Sequence, residues 1–157
     1  MMLENKNLQS KISAILNLYT VKKFNELIEK ANKLLKKNPN IDLLWNVLGL
    51  TYQQKGEFEK AEKYFFKCLQ VNPKNIGARN NLGNNYKYLY NYSKAEEYFQ
   101  EILKVNPQYL QALVNYGNLK FELNQFKEAL TLLSRALLVD GKSVSVMLNL
   151  SLIHQSI

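Results

Sequence analysis

Apolar positions along this chain recur with two spacings, a short one that marks helices and a long one that marks repeats. Trp45, Leu48, Gly49 and Tyr52 stand at i, i+3, i+4 and i+7, which places them on one helical face. Ala61, Phe65 and Cys68 follow at i, i+4 and i+7 and define a second helix. Between them Lys55-Gly56-Glu57-Phe58 supplies a turn in which Gly56 can take a left-handed backbone, and Asn72-Pro73 ends the second helix. The segment reads as a two-helix hairpin.

The long spacing is 34 residues, the step from Gly49 to Gly83 and from Gly83 to Gly117. The same step links Ala61, Ala95 and Ala129, then Phe58, Tyr92 and Phe126, then Phe65, Phe99 and Leu133, and finally Pro73 and Pro107. Columns that share one period predict tandem copies of one hairpin. Small residues at Gly49 and Ala61 are expected to let the two helix axes approach. Trp45, Tyr52 and Phe65 are expected to fill the space between one hairpin and the next. A single hairpin cannot bury that face, so neighbours must stack.

These residues resemble the tetratricopeptide repeat family, whose unit runs Trp, Leu-Gly, Tyr, Ala, Phe, Ala and Pro. Residues 42–75 carry Trp45, Leu48, Gly49, Tyr52, Ala61, Phe65 and Pro73, with Cys68 in a column usually Ala. Residues 76–109 carry Leu82, Gly83, Tyr86, Ala95, Phe99 and Pro107, with Arg79 in the Trp column. Residues 110–143 keep Gly117, Ala129 and Ala136, but Tyr116 replaces Leu, Lys120 replaces Tyr and Gly141 replaces Pro. Those departures are expected to loosen packing locally without altering the hairpin. One period earlier, residues 8–41 form a degenerate unit with Phe24, Leu27, Ala31, Leu34 and Pro39 in its second helix and Ala14 and Ile15 in its first. One period later, residues 144–157 supply a first helix alone, with Met147, Leu150, Ser151 and His154 in the core columns. The resemblance implies an all-α fold: a right-handed α-solenoid of tandem antiparallel hairpins, one domain over residues 1–157 with about four and a half units.

Composition narrows the function. Of 157 residues 46% are hydrophobic and 22% charged, with only 3 Pro and 6 Gly, which suits a helical, foldable chain. Cys68 is the single cysteine and His154 the single histidine, so neither an internal disulfide nor a soft-ligand zinc site is available. A reducing, cytoplasmic setting is expected. No apolar run reaches the roughly 18 residues of a membrane span, and the start has no signal-peptide core, so no membrane partner is expected. The last helix crowds Val144, Val146, Met147, Leu148, Leu150, Leu152, Ile153 and Ile157 with no charge after Lys142. It reads as half of an interior unit that further repeats, a catalytic domain or another copy would cover.

Catalysis needs a nucleophile with a base, paired carboxylates, a metal cluster or a phosphate loop. None is legible, so no catalytic residue, metal or cofactor is expected. His154 and Cys68 fall in core columns, and Glu57, Glu59, Glu96 and Glu97 open second helices, where carboxylates complement the helix dipole. The net charge of +8 gathers partly in Lys22, Lys23, Lys30, Lys33, Lys36 and Lys37, which read as a solvated face rather than a nucleic-acid site.

The family's concave groove is lined by the second, fifth, sixth, ninth, twelfth and thirteenth places of each unit. At the sixth places stand Val47, Asn81, Asn115 and Asn149, and at the ninth Leu50, Asn84, Asn118 and Leu152. Five of these eight are Asn, where the chain's 20 Asn would put about one by chance. Drift in an AT-rich genome is the competing account of the excess. An amide carries a donor and an acceptor that match a peptide group, so such a row can hold an extended chain by its backbone. The row resembles the asparagine ladder of the tetratricopeptide segments of O-linked N-acetylglucosamine transferase and its relatives. The resemblance implies a scaffold that binds protein or extended peptide through Asn46, Gln53, Asn80, Asn81, Asn84, Lys87, Tyr88, Asn115, Asn118 and Asn149. Its alternative is the substrate-recruiting arm of a larger glycosyltransferase or sulfotransferase. The family's carboxylate clamp is not expected, because Asn80, Ser145 and Asn149 occupy its cationic positions.

Overall fold

The computed structural model describes residues 2–156, with side chains from Lys6 onward except those of Ser145, His154 and Ser156. The expectations placed on His154 and Ile157 therefore lie outside the described residues. The described chain is all-α. Its helices are α1 (Met2–Thr20), α2 (Phe24–Lys37), α3 (Asp42–Gln54), α4 (Phe58–Val71), α5 (Ile76–Tyr88), α6 (Tyr92–Val105), α7 (Leu110–Glu122), α8 (Phe126–Val139) and α9 (Val144–Ser156). Helices α3, α5, α7 and α9 start where the 34-residue period places the start of a unit. Two compact units follow along the chain, Met1–Ala78 and Arg79–Ile157.

In the first unit, α1 and α2 bury Ile12, Ile15, Leu18, Leu27, Ala31 and Leu35, and α3 adds Leu44, Val47 and Leu48 to the same core. Trp45 and Tyr64 pack against this core, and the Trp45 Nε1–H donates to the Pro39 carbonyl at 2.7 Å. Trp45 thus packs back onto the preceding hairpin rather than forward. Phe65, expected between hairpins, lies inside its own: a Cβ on Gly49 would stand 2.4 Å from its ring. The missing side chain opens a slot for that ring. Tyr52 and Tyr64 stack at 5.0 Å beside it. Cys68 is fully buried, and burial, with the Asp42 carboxylate adding to it, pushes the thiol up to about 11. An inert core thiol is the result.

The second unit repeats the slot. A Cβ on Gly83 would lie 2.7 Å from the Phe99 ring, and one on Gly117 2.7 Å from Leu133. Tyr86 is buried and stacks on Tyr98 at 5.6 Å, as its core column requires. In α9, however, Met147 and Ser151 are exposed and Leu150 half-buried, while Val146 and Ile153 are buried. The core columns of a first helix face the second helix of its hairpin, as Gly117 faces Leu133, and in α9 that side is uncovered.

Lys120 corrects the expectation of looser packing in the third full unit. Its ammonium lies 2.7 Å from Glu96 and 2.8 Å from Glu128, with the Tyr116 ring centroid at 5.3 Å, and the residue is only 5% exposed. Burial by itself would lower its pKa. Hydrogen bonds to Glu128 and Glu96 outweigh burial and raise it above the ordinary lysine value. An ion triad occupies the place of a tyrosine, and Glu96 serves α7 as well as the N-terminus of its own helix.

The breaks between helices follow from local chemistry. Lys22, Gly56, Tyr90 and Asn124, each one period apart, adopt φ of 57°, 75°, 57° and 58°. The turn residue is left-handed whatever its identity, and for a non-glycine that conformation costs roughly 1–2 kcal/mol. Tyr90 is 80% exposed and retains an edge contact with Tyr92 at 6.2 Å. Tyr90→Gly is therefore expected to raise stability by about 0.5–1 kcal/mol, the removed strain exceeding the added freedom of the unfolded glycine. Chemical denaturation checks this. A lower midpoint in the variant would show that the Tyr92 contact contributes more than the strain.

Second helices end on a side-chain turn. The Oδ1 atoms of Asn72, Asn106 and Asp140 accept from the N–H of Lys74, Gln108 and Lys142 at 3.2, 3.3 and 3.2 Å. In the first unit Asp42 gathers Asn72 Nδ2 at 2.7 Å, Asn75 Nδ2 at 3.0 Å and the Leu43 N–H at 2.8 Å. Burial works against its charge, but these donors prevail and hold the carboxyl below its ordinary value.

Candidate functional site

The positions to be tested lie on first helices, Asn46 and Gln53 on α3 in the first unit and the others on α5, α7 and α9 in the second. A first helix buries one stripe in its hairpin, so residues on another stripe reach the surface between hairpins. In the second unit this brings asparagines of neighbouring first helices into contact. Asn115 Nδ2 donates to Asn80 Oδ1 at 3.2 Å, and Asn149 Nδ2 donates to Asn118 Oδ1 at 2.7 Å. Asn80 is 6% exposed and forms the base of the first pair, whereas Asn115, Asn118 and Asn149 are half-buried. Asn81 and Asn84 are also half-buried on α5.

The other predicted positions divide. Lys87 lies 2.7 Å from Glu122 and 5.5 Å from the Tyr88 ring centroid, so its charge is already compensated within the unit. Tyr88 is 45% exposed beside it. In the first unit Asn46 is half-buried, while Gln53 is buried and thus withdrawn from the surface where the pattern put it. Asn80 and Gln53 are accordingly corrected to supporting positions.

Sequence reasoning missed two features. Asn85 is completely buried, although its place in the unit gave no reason to single it out. Gln100 Nε2 donates to the Tyr116 hydroxyl at 2.9 Å, which ties α6 to α7 near the same region. Among the described residues, every buried side-chain nitrogen or oxygen has a partner, and no group of three or more His, Cys, Asp or Glu could hold a metal. No helix among them is long and apolar enough to cross a membrane.

Tandem hairpins with a glycine slot in α3, α5 and α7 define a helical repeat protein. Two profiles of the tetratricopeptide repeat family match the chain, over residues 43–75 and 89–150, and the chain belongs to that family. No curated protein sequence matches it. Among solved structures, the MamA protein superposes with a TM-score of 0.75 at 17% identity, covering 96% of this chain and 82% of that one. PilF from Pseudomonas aeruginosa gives 0.85 at 17% identity over 97% of this chain and 69% of its own. Cut9 in its complex with Hcn1 gives 0.86 at 17% identity, covering 95% of this chain and 30% of that one. At these identities the likeness concerns the fold.

Proposed function

We propose that this protein is a scaffold that binds an extended segment of a partner protein across the asparagine stripe of its first helices. The observation that carries the reading is the pairing of Asn80 with Asn115 and of Asn118 with Asn149 across successive first helices. Each pair uses one N–H of the outer amide, so the outer residue retains an N–H and a carbonyl with which to address a peptide group. The pairing also fixes the orientation of each amide before a ligand arrives, which reduces the entropy lost on binding.

Replacing Asn81, Asn84, Asn115 and Asn118 together by Ala tests this with a partner recovered by pull-down. Each hydrogen bond contributes about 0.5–1.5 kcal/mol, so affinity should fall by at least roughly tenfold while helicity is retained. Unchanged affinity would sink the proposal. The same stripe also suits the recruiting arm of a larger transferase, and the full reading frame distinguishes the two. A cytoplasmic setting belongs to the proposal and rests on the lone, buried Cys68.

A further inference from the structure

A cleft of about 310 Å³ lies on the first hairpin, between α1 and α2. Ala14, Ile15 and Leu34 form its apolar wall, and the exposed Lys11, Lys30, Lys33 and Lys37 surround it. The three lysines of α2 stand at i, i+3 and i+7, on one helical face. Among the described residues one carboxylate reaches these four ammonium groups, Glu26 at 2.6 Å from Lys30. Residues 1–41 contain eight Lys and three Glu, so they hold +5 of the chain's net charge of +8.

The next hairpin keeps one of the four cations, since Lys33 aligns with Lys67, and replaces the others. One period on, Lys11 becomes Trp45, Lys30 becomes Tyr64 and Lys37 becomes Val71. Trp45 and Tyr64 stack at 6.0 Å and pack against the core of the first hairpin. The first hairpin thus presents cations at positions where the second presents a packed aromatic pair. It nevertheless keeps apolar residues between them.

We propose that this cleft binds an acidic peptide segment, with an apolar side chain against Ala14, Ile15 and Leu34 and its carboxylates against the lysines. A solvated charged face would need no apolar recess. The volume lies at the small end of ligand pockets and suits one or two side chains. Single-stranded nucleic acid favours an aromatic stacking platform, and no aromatic residue lines the cleft. A bilayer meets protruding apolar residues, whereas here the apolar atoms are recessed. None of these residues belongs to the asparagine stripe, so the proposal stands apart from the function given above.

The test is fluorescence anisotropy on the full chain with a labelled peptide of glutamates flanking a central leucine pair. Saturable binding is expected, weakened about tenfold or more by Lys33→Glu with Lys37→Glu and about tenfold by Ala14→Trp, which fills the recess. The lysine variant changes only exposed side chains, so it decides the matter even if the tryptophan variant folds poorly. The fourfold asparagine variant should bind this peptide normally. No binding, equal binding of an all-glutamate peptide, or indifference to the lysine changes would overturn the proposal. So would tighter binding of phosphatidylserine vesicles or of mixed-sequence single-stranded RNA.

Discussion

Gly83→Leu is expected to destabilise the protein by about 3 kcal/mol, the upper part of the range for overpacking a filled site. A Cβ alone would stand 2.7 Å from Cε1 and 3.1 Å from Cδ1 of Phe99, a fully buried ring. The ring can yield only by displacing α6 from α5, so the damage falls inside one hairpin. For a chain of this size the loss corresponds to a fall in Tm of about 6–12 °C. Thermal denaturation followed by circular dichroism measures it. The neighbouring repeat is equally closed with a smaller partner, since a Cβ on Gly117 would stand 2.7 Å from Leu133. A wild-type Tm for Gly83→Leu would mean that the glycine slot is not the contact described.

Lys120→Ala should have the next largest effect, about 1–3 kcal/mol, since it removes the bridge between α6 and α8 and leaves a cavity beside Tyr116. Lys120→Tyr should lose less. Tyr52 and Tyr86 occupy the corresponding place in the two preceding units, and the ring can fill the volume that the lysine stem now holds. The pH dependence separates charge from packing. Because the folded pKa is raised, the stabilisation is fully present below the unfolded lysine value and is lost as pH rises through the folded one. The wild type should therefore weaken above roughly pH 10.4 relative to Lys120→Ala, whose side chain does not titrate. Parallel stability curves for these two proteins across that window would refute the charged bridge.

The hairpins, their boundaries and the turn column were legible because they depend on local rules that recur every 34 residues, as at Gly49, Gly83 and Gly117. Even Tyr90, in an alternating run of tyrosines, was legible as a turn residue from its alignment with Gly56 and Asn124, and its φ of 57° agrees. Direction across the stack was less legible. Nothing in the spacing of Trp45 or Phe65 tells whether a large ring faces its own hairpin or the preceding one, since both options satisfy the same periodicity. Lys120 was misjudged because its partners, Glu96 and Glu128, lie on two other helices, and Glu96 was accounted for by a local dipole effect. The asparagines were recognised as a stripe. That they satisfy one another first, as Asn115 does with Asn80, depends on distances between helices that only the packed structure supplies.

The side-chain turns that end the second helices also bear on the chemical ageing of the chain. Asparagine deamidates when the backbone nitrogen of the following residue attacks its side-chain carbonyl. At Asn38, Asn72 and Asn106 that following residue is proline, which has no N–H with which to complete the ring. The residue that stops each helix thus also shields the asparagine beside it from conversion to a charged, backbone-lengthened isomer. The fourth turn departs from this pattern. Asp140 precedes Gly141, whose nitrogen carries a proton and whose α-carbon bears no side chain to hinder attack. The loss of proline from one repeat therefore leaves Asp140 alone among these four helix-ending residues open to isoaspartate formation, just ahead of the helix that begins at Val144.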